Sequence, residues 1–102
     1  MELPTISTEE ALAILETKTA PRVTEELIKS KIDVVRYVVD DVTTLCIIRM
    51  KNDFRFIGKS APVSADNFDP AVGRRYAYDD AFRQIWAFEG YLLREQLAAE
   101  AK

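Results

Sequence analysis

From about Pro70 to Ala99, residues Ala77, Tyr78, Ala81, Phe82, Ile85, Trp86, Leu92, Leu93 and Leu97 recur at helical spacing. This one long amphipathic pattern constrains the fold more than any other feature of the chain. Asp69 is placed to cap the helix, and Pro70 suits its first position. Gly73 and Gly90 each weaken such a helix by up to about 1 kcal/mol relative to alanine. Gly90, between Glu89 and Tyr91, reads as a kink or a close helix contact. Phe82 and Trp86, four residues apart, read as a core stripe lying on a sheet.

The sheet comes earlier in the chain. Ile32, Val34, Val35, Tyr37, Val38 and Val39 are β-branched or aromatic and predict a strand, which Asp40-Asp41 ends in a turn. Thr43–Met50 predicts a second strand and Phe54–Lys59 a third, joined by the polar turn Lys51-Asn52-Asp53. Short links between successive strands predict an antiparallel meander. Within Thr43–Met50 the alternation does not single out one inner face, so one face is expected under helices and the other against a partner subunit. Two short helices precede the strands. Ser7 or Thr8 caps the first, with Glu9 and Glu10 in its opening turn. Pro21 stops it, and Thr24 caps the second, with Val23 placed to staple onto Ile28. A loop marked by Pro62, Asp66, Asn67 and Asp69 joins the last strand to the long helix.

The expected fold class is therefore α+β: short N-terminal helices, a three-stranded antiparallel sheet and a long C-terminal helix packed across it. At 102 residues this is one domain, with 1–20 an N-terminal extension carrying a short helix and 21–102 the core. Three strands and one long helix make a thin core, which predicts a homo-oligomer. The N-terminus has neither a basic start nor an apolar core, so the expected location is the cytoplasm, with no membrane association.

The chain has no histidine, and Cys46 is its one cysteine. That removes intramolecular disulfides, Cys/His zinc sites, Cys–His nucleophile pairs and Ser–His–Asp triads together. A net charge of −3 argues against a nucleic-acid-binding field. The paired carboxylates Glu25-Glu26, Asp40-Asp41 and Asp79-Asp80 read as turn or surface features, because neighbours on a helix point about 100° apart. No catalytic residue, metal site or cofactor is expected.

Short matches in a fixed order point to a family. They begin at Ala20-Pro21-Arg22-Val23-Thr24 and run through Leu45-Cys46-Ile47, Lys51-Asn52 and Gly58-Lys59-Ser60-Ala61. Asn67-Phe68-Asp69, Gly73-Arg74, Ala77-Tyr78, Trp86 and Glu89-Gly90-Tyr91-Leu92-Leu93 follow. Over residues 20 to about 97 the chain resembles the small phage and prophage proteins named after gene product 49 of phage N4 and gene 66 of a Shigella phage. In that pattern a glycine follows the asparagine of the hairpin turn, whereas Asp53 stands here. Aspartate also tolerates left-handed geometry, so the turn type is affected and the fold is not. The resemblance implies a phage or prophage origin and an accessory role in the host cytoplasm; it implies no activity.

Two groups of residues are candidates for function. The loop entering the long helix brings Ser60 and Asn67 towards Arg74 and Arg75, a pattern suited to an anion or phosphate at a helix N-terminus. The bland reading is a cap by Asp69 with the arginines paired to Asp79 and Asp80. Tyr76, Phe88 and Tyr91 lie off the main apolar stripe and are candidate interface residues. The expected function is a non-catalytic accessory protein that binds a host factor, including a counter-defence role. The alternative is an oligomeric sponge that sequesters a nucleotide signal.

Overall fold

The structure is a computed structural model that describes residues 1–101. In chain order it has α1 (Thr8–Glu16), α2 (Glu25–Lys31), β1 (Ile32–Asp40), β2 (Thr43–Met50), β3 (Arg55–Ser60), a 3-10 turn (Ala65–Asn67) and α3 (Pro70–Glu100). The three strands form one antiparallel sheet in the order β1-β2-β3, with α3 lying across it. The α+β class expected from the sequence is the class observed.

Local chemistry sets the helix ends. The Ser7 hydroxyl accepts from the Glu10 N–H while the Glu10 carboxylate accepts from the Ser7 N–H, a complete capping box. The Thr24 hydroxyl accepts from the Leu27 N–H at 3.1 Å, and the half-buried Val23 packs against the core cluster to which Ile28 belongs. Asp69 accepts from the N–H groups of both Ala71 and Val72, with Pro70 at the first helical position.

Both hairpin turns use aspartate at positive φ. Asp41 (φ 55°) follows the β1 end residue Asp40, and Asp53 (φ 74°) closes the three-residue β2–β3 turn. In that second turn the Asp53 N–H donates to the Met50 carbonyl and the Met50 N–H to the Phe54 carbonyl. A left-handed residue is required at its third position, and aspartate supplies it.

The sheet face that the sequence left undecided is settled by α3. Thr44, Cys46, Ile48 and Met50 of β2 are buried with Phe56 and Gly58 of β3, so the even-numbered residues face the helix. Gly58 permits the contact: a Cβ there would stand 2.2 Å from the Ala77 carbonyl oxygen and 2.3 Å from the Ala81 nitrogen. Gly73, Ala77, Ala81, Ile85 and Glu89 are buried at successive four-residue steps along α3. Small residues at the upper steps let the helix backbone press onto the sheet. In β1, a register shift between Ile32 and Val34 places Asp33 as the extra residue of a bulge. The bulge is why Ile32 and Val35, three apart, both pack on the core.

The opposite sheet face carries Val34, Val38, Leu45, Ile47 and Ile57 among Arg36, Arg49, Arg55 and Lys59, and among the described residues no helix packs across it. Two expectations need correction. Phe82 is core, but Trp86 is 40% exposed and meets Phe82 only edge-on, because the buried stripe steps from Ala81 to Ile85 and leaves Trp86 on its flank. Gly90 is neither a break nor a close contact: α3 runs through it, and nothing lies within 4 Å of where its Cβ would be.

Candidate functional site

One end of the α3–sheet junction opens into an apolar cleft of about 420 Å³. The β2–β3 turn forms one wall, held in place because the Lys51 N–H donates to the Lys31 carbonyl at 2.8 Å. The turn is further fixed by the Asn52 side-chain oxygen, which accepts from the Phe54 N–H at 3.0 Å. The other wall is α3, where Ile85, Phe88, Glu89 and Leu92 share one face at positions i, i+3, i+4 and i+7. Phe54, Phe56 and Phe88 form a trio with centroids 5.0–5.3 Å apart. Their mutual edge-to-face and tilted contacts add to the area they bury. Phe56 is buried, while Phe88 is 56% exposed and Phe54 is also open to solvent.

The polar element of this cleft is an ion pair. Glu89, only 8% exposed, takes both carboxylate oxygens to the Lys31 ammonium, with the longer contact 3.2 Å. Burying a carboxylate is costly unless it is paired, and removing either partner would leave a charge against an apolar wall. The pair therefore locks the end of α2 to α3 and fixes the cleft's shape. Neither residue was among the candidates taken from the sequence. A signal existed: Glu89 falls on the four-residue step that continues Gly73, Ala77, Ala81 and Ile85, where a carboxylate inside a core stripe calls for a partner.

A second, polar pocket of about 290 Å³ is lined by Glu25, Lys29, Tyr37, Arg75 and Tyr78. Arg75 lies over the Tyr78 ring, 5.5 Å from its centroid, and donates to Asp79 at 3.2 Å. Lys29 pairs with Glu25 at 3.0 Å. Burial pushes the phenols of Tyr37 and Tyr78 above their ordinary pKa. Of the four residues singled out as an anion site, Arg75 lines this pocket, whereas Ser60, Asn67 and Arg74 are not among its lining residues. Ser60 is the last residue of β3, opposite Thr44, and Asn67 ends the 3-10 turn. The Asp69 carboxylate already occupies the first N–H groups of α3. Arg75 pairs with Asp79 as its spacing suggests, while Asp80 pairs with Arg83 instead of an arginine upstream. Tyr76, Phe88 and Tyr91 are all exposed, but Phe88 belongs to the aromatic cleft and Tyr76 lies about 18 Å from it along the helix axis.

Cys46 is buried in the core, and burial pushes its thiol pKa up, with Tyr37 acting weakly the other way. Burial, the larger effect, leaves an inert thiol. Among the described residues no group of three or more Cys, Asp or Glu side chains converges as a metal site requires. Nor is any helix long and apolar enough to cross a membrane.

Neither the curated proteins nor the solved structures contain a match to this chain. The family model described as "Phage protein (N4 Gp49/phage Sf6 gene 66) family" matches residues 23–97, from Val23 at the entry to α2 to Leu97 near the end of α3. The match takes in the sheet, the cleft and the ion pair and leaves α1 outside, and the chain belongs to that family.

Proposed function

We propose that this chain is a non-catalytic phage or prophage accessory protein that binds a host protein in the bacterial cytoplasm, with a counter-defence role as its setting. The observation that carries the reading is the aromatic cleft: a concave apolar surface of small-pocket size, with Phe54, Phe88 and Leu92 open to solvent. Exposed aromatic rings around a preformed hollow are typical anchoring points for a partner side chain. The charged groups at its wall, Lys31 and Glu89, are engaged with each other, which favours holding shape over performing chemistry. Lys51 at the rim adds a cation, so the fitting partner offers an apolar anchor beside a carboxylate.

The test compares the wild-type chain with Phe88→Asp, an exposed position, in affinity capture from host lysate read by quantitative mass spectrometry. A host protein retained by the wild type and lost from an equally stable Phe88→Asp variant is the expected result. Identical captures would place binding elsewhere.

A second reading, sequestration of a nucleotide signal, is favoured by one arrangement: Lys29, Arg75, Tyr37 and Tyr78 converge on the polar pocket. Two cations and two aromatic rings suit a phosphate and a base. Titration with cyclic and ADP-ribose-derived nucleotides tests it. Heat that vanishes with Arg75→Ala supports this reading, and silence across the panel removes it.

A further inference from the structure

The two edges of the sheet are treated differently. On β3, the Lys59 N–H donates to the Asp80 carboxylate at 2.9 Å, and the Ile57 carbonyl accepts from the Gln84 amide at 2.8 Å. Asp80 and Gln84, four apart on α3, thus occupy backbone groups that would otherwise be free for another strand. On β1, among the described residues, no side chain of another element bonds to the outer edge. This nine-residue strand also leaves three consecutive apolar residues open: Tyr37, Val38 and Val39 are 38%, 42% and 50% exposed. A long apolar edge strand without a cover is a template for pairing.

Which backbone groups point outward follows from the ladder. The Met50 N–H bonds to Phe54 of the next strand, so by alternation the even-numbered residues of β2 bond to β3 and the odd-numbered ones to β1. The partners of Thr43, Leu45 and Ile47 are Asp40, Val38 and Arg36, whose N–H and C=O groups are therefore used within the sheet. Those of Val35, Tyr37 and Val39 face away from it. A second antiparallel β1 can bond only in registers that match such residues with each other, so a two-fold axis must pass through a residue position.

Charge selects among these registers. An axis at Arg36 would set arginine against arginine, and one at Tyr37 would set Arg36 against Val38 and Asp40 against Val34, leaving both charges unpaired. An axis at Val38 sets Arg36 opposite Asp40 twice, Tyr37 opposite Val39 twice, and Val38 against its own copy. Arg36 has no carboxylate partner among the described residues, and neither has Asp40 a cation. Opposite charges directly across a ladder stabilise it, whereas like charges do the reverse.

We propose that β1 is a homodimer interface, pairing antiparallel with β1 of a second copy about a two-fold axis at Val38 to make a continuous six-stranded sheet. The contact is self-complementary, as a two-fold interface must be. It covers the exposed apolar run and does not depend on what binds the aromatic cleft.

The experiment uses the full chain in sedimentation equilibrium and in oxidative cross-linking. The wild type should sediment as a dimer. Val38→Cys, at a non-hydrogen-bonded pair where Cα atoms lie about 4.5 Å apart, should give a disulfide-linked dimer on oxidation, with the wild type (Cys46 buried) as control. Arg36→Asp should weaken the dimer at least tenfold, and Arg36→Asp combined with Asp40→Arg should restore it. Val39→Pro removes only an outward N–H and should give a folded monomer. A monomeric wild type, or a dimer indifferent to Arg36→Asp and Val39→Pro, overturns the proposal. A dimer that Arg36→Asp weakens but the double variant fails to restore would overturn the Val38 register.

Discussion

At the scale of single residues, one atom stands out as badly placed. The Thr44 hydroxyl is fully buried where α3 crosses β2 and has no hydrogen-bond partner among the described residues. It lies against Gly73, where a Cβ would stand 2.6 Å from it. An unmade buried hydrogen bond costs more than an absent hydroxyl, so Thr44→Val, which keeps the shape, should stabilise the fold by about 1 kcal/mol. A urea midpoint that falls would show that the hydroxyl is satisfied after all. Phe82 and Trp86 teach a similar lesson. Helical spacing placed both on the sheet, but a stripe four residues wide holds only one of them, and the choice depends on how α3 is rotated.

At the scale of elements, the α3–sheet contact depends on backbone proximity. Gly58→Ala should cost at least about 3 kcal/mol, because its Cβ would meet helix backbone that cannot yield without lifting α3 off the sheet. Gly90→Ala meets nothing and should raise stability by about 0.5–1 kcal/mol through helix propensity alone. Chemical denaturation of the two variants checks both; equal responses would contradict the close approach at Gly58. Asp80 ties β3 to α3 in a pH-dependent way. The Lys59 N–H, followed by Arg83, holds its carboxyl below the ordinary pKa. With the folded pKa depressed, its contribution is complete above the unfolded value of about 3.9 and is lost as pH falls through the folded one. Solvent screens this half-exposed group, so the effect is small. Between pH 5 and 3 the wild type should lose more stability than Asp80→Asn. Parallel pH profiles would show that Asp80 contributes nothing to the β3 edge.

At the scale of the whole molecule, the chain is too extended for a compact globule of its length. Its Cα radius of gyration is 17.1 Å, against about 13 Å for 100 compact residues, with extents of 54 × 39 × 22 Å. Two elements account for this. α1 buries none of its residues, and α3 is 31 residues long, with its last buried residue at Glu89. Removing residues 1–19 should therefore leave the unfolding free energy of the remaining chain unchanged to within about 0.5 kcal/mol. A loss above 1 kcal/mol would mean that α1 packs in solution where the structure leaves it open.

Much of this architecture was legible in the order of residues, because its signals are local. Ser7, Thr24 and Asp69 cap the helices, Asp40-Asp41 and Lys51-Asn52-Asp53 turn the strands, and the apolar period changes from two to about 3.6 where the sheet ends and α3 begins. Those interactions span a few residues and need no knowledge of the rest of the chain. The Lys31–Glu89 pair, 58 residues apart, could only be made by docking α3 against α2. The same docking chose the even-numbered face of β2, left Trp86 outside, and gathered Phe54, Phe56 and Phe88 into one cleft, with Ser60 and Asn67 outside the pocket that Arg75 lines. Helix rotation, sheet face and ion pairing between distant elements are set by packing at backbone distance, and only the folded chain brings those atoms together.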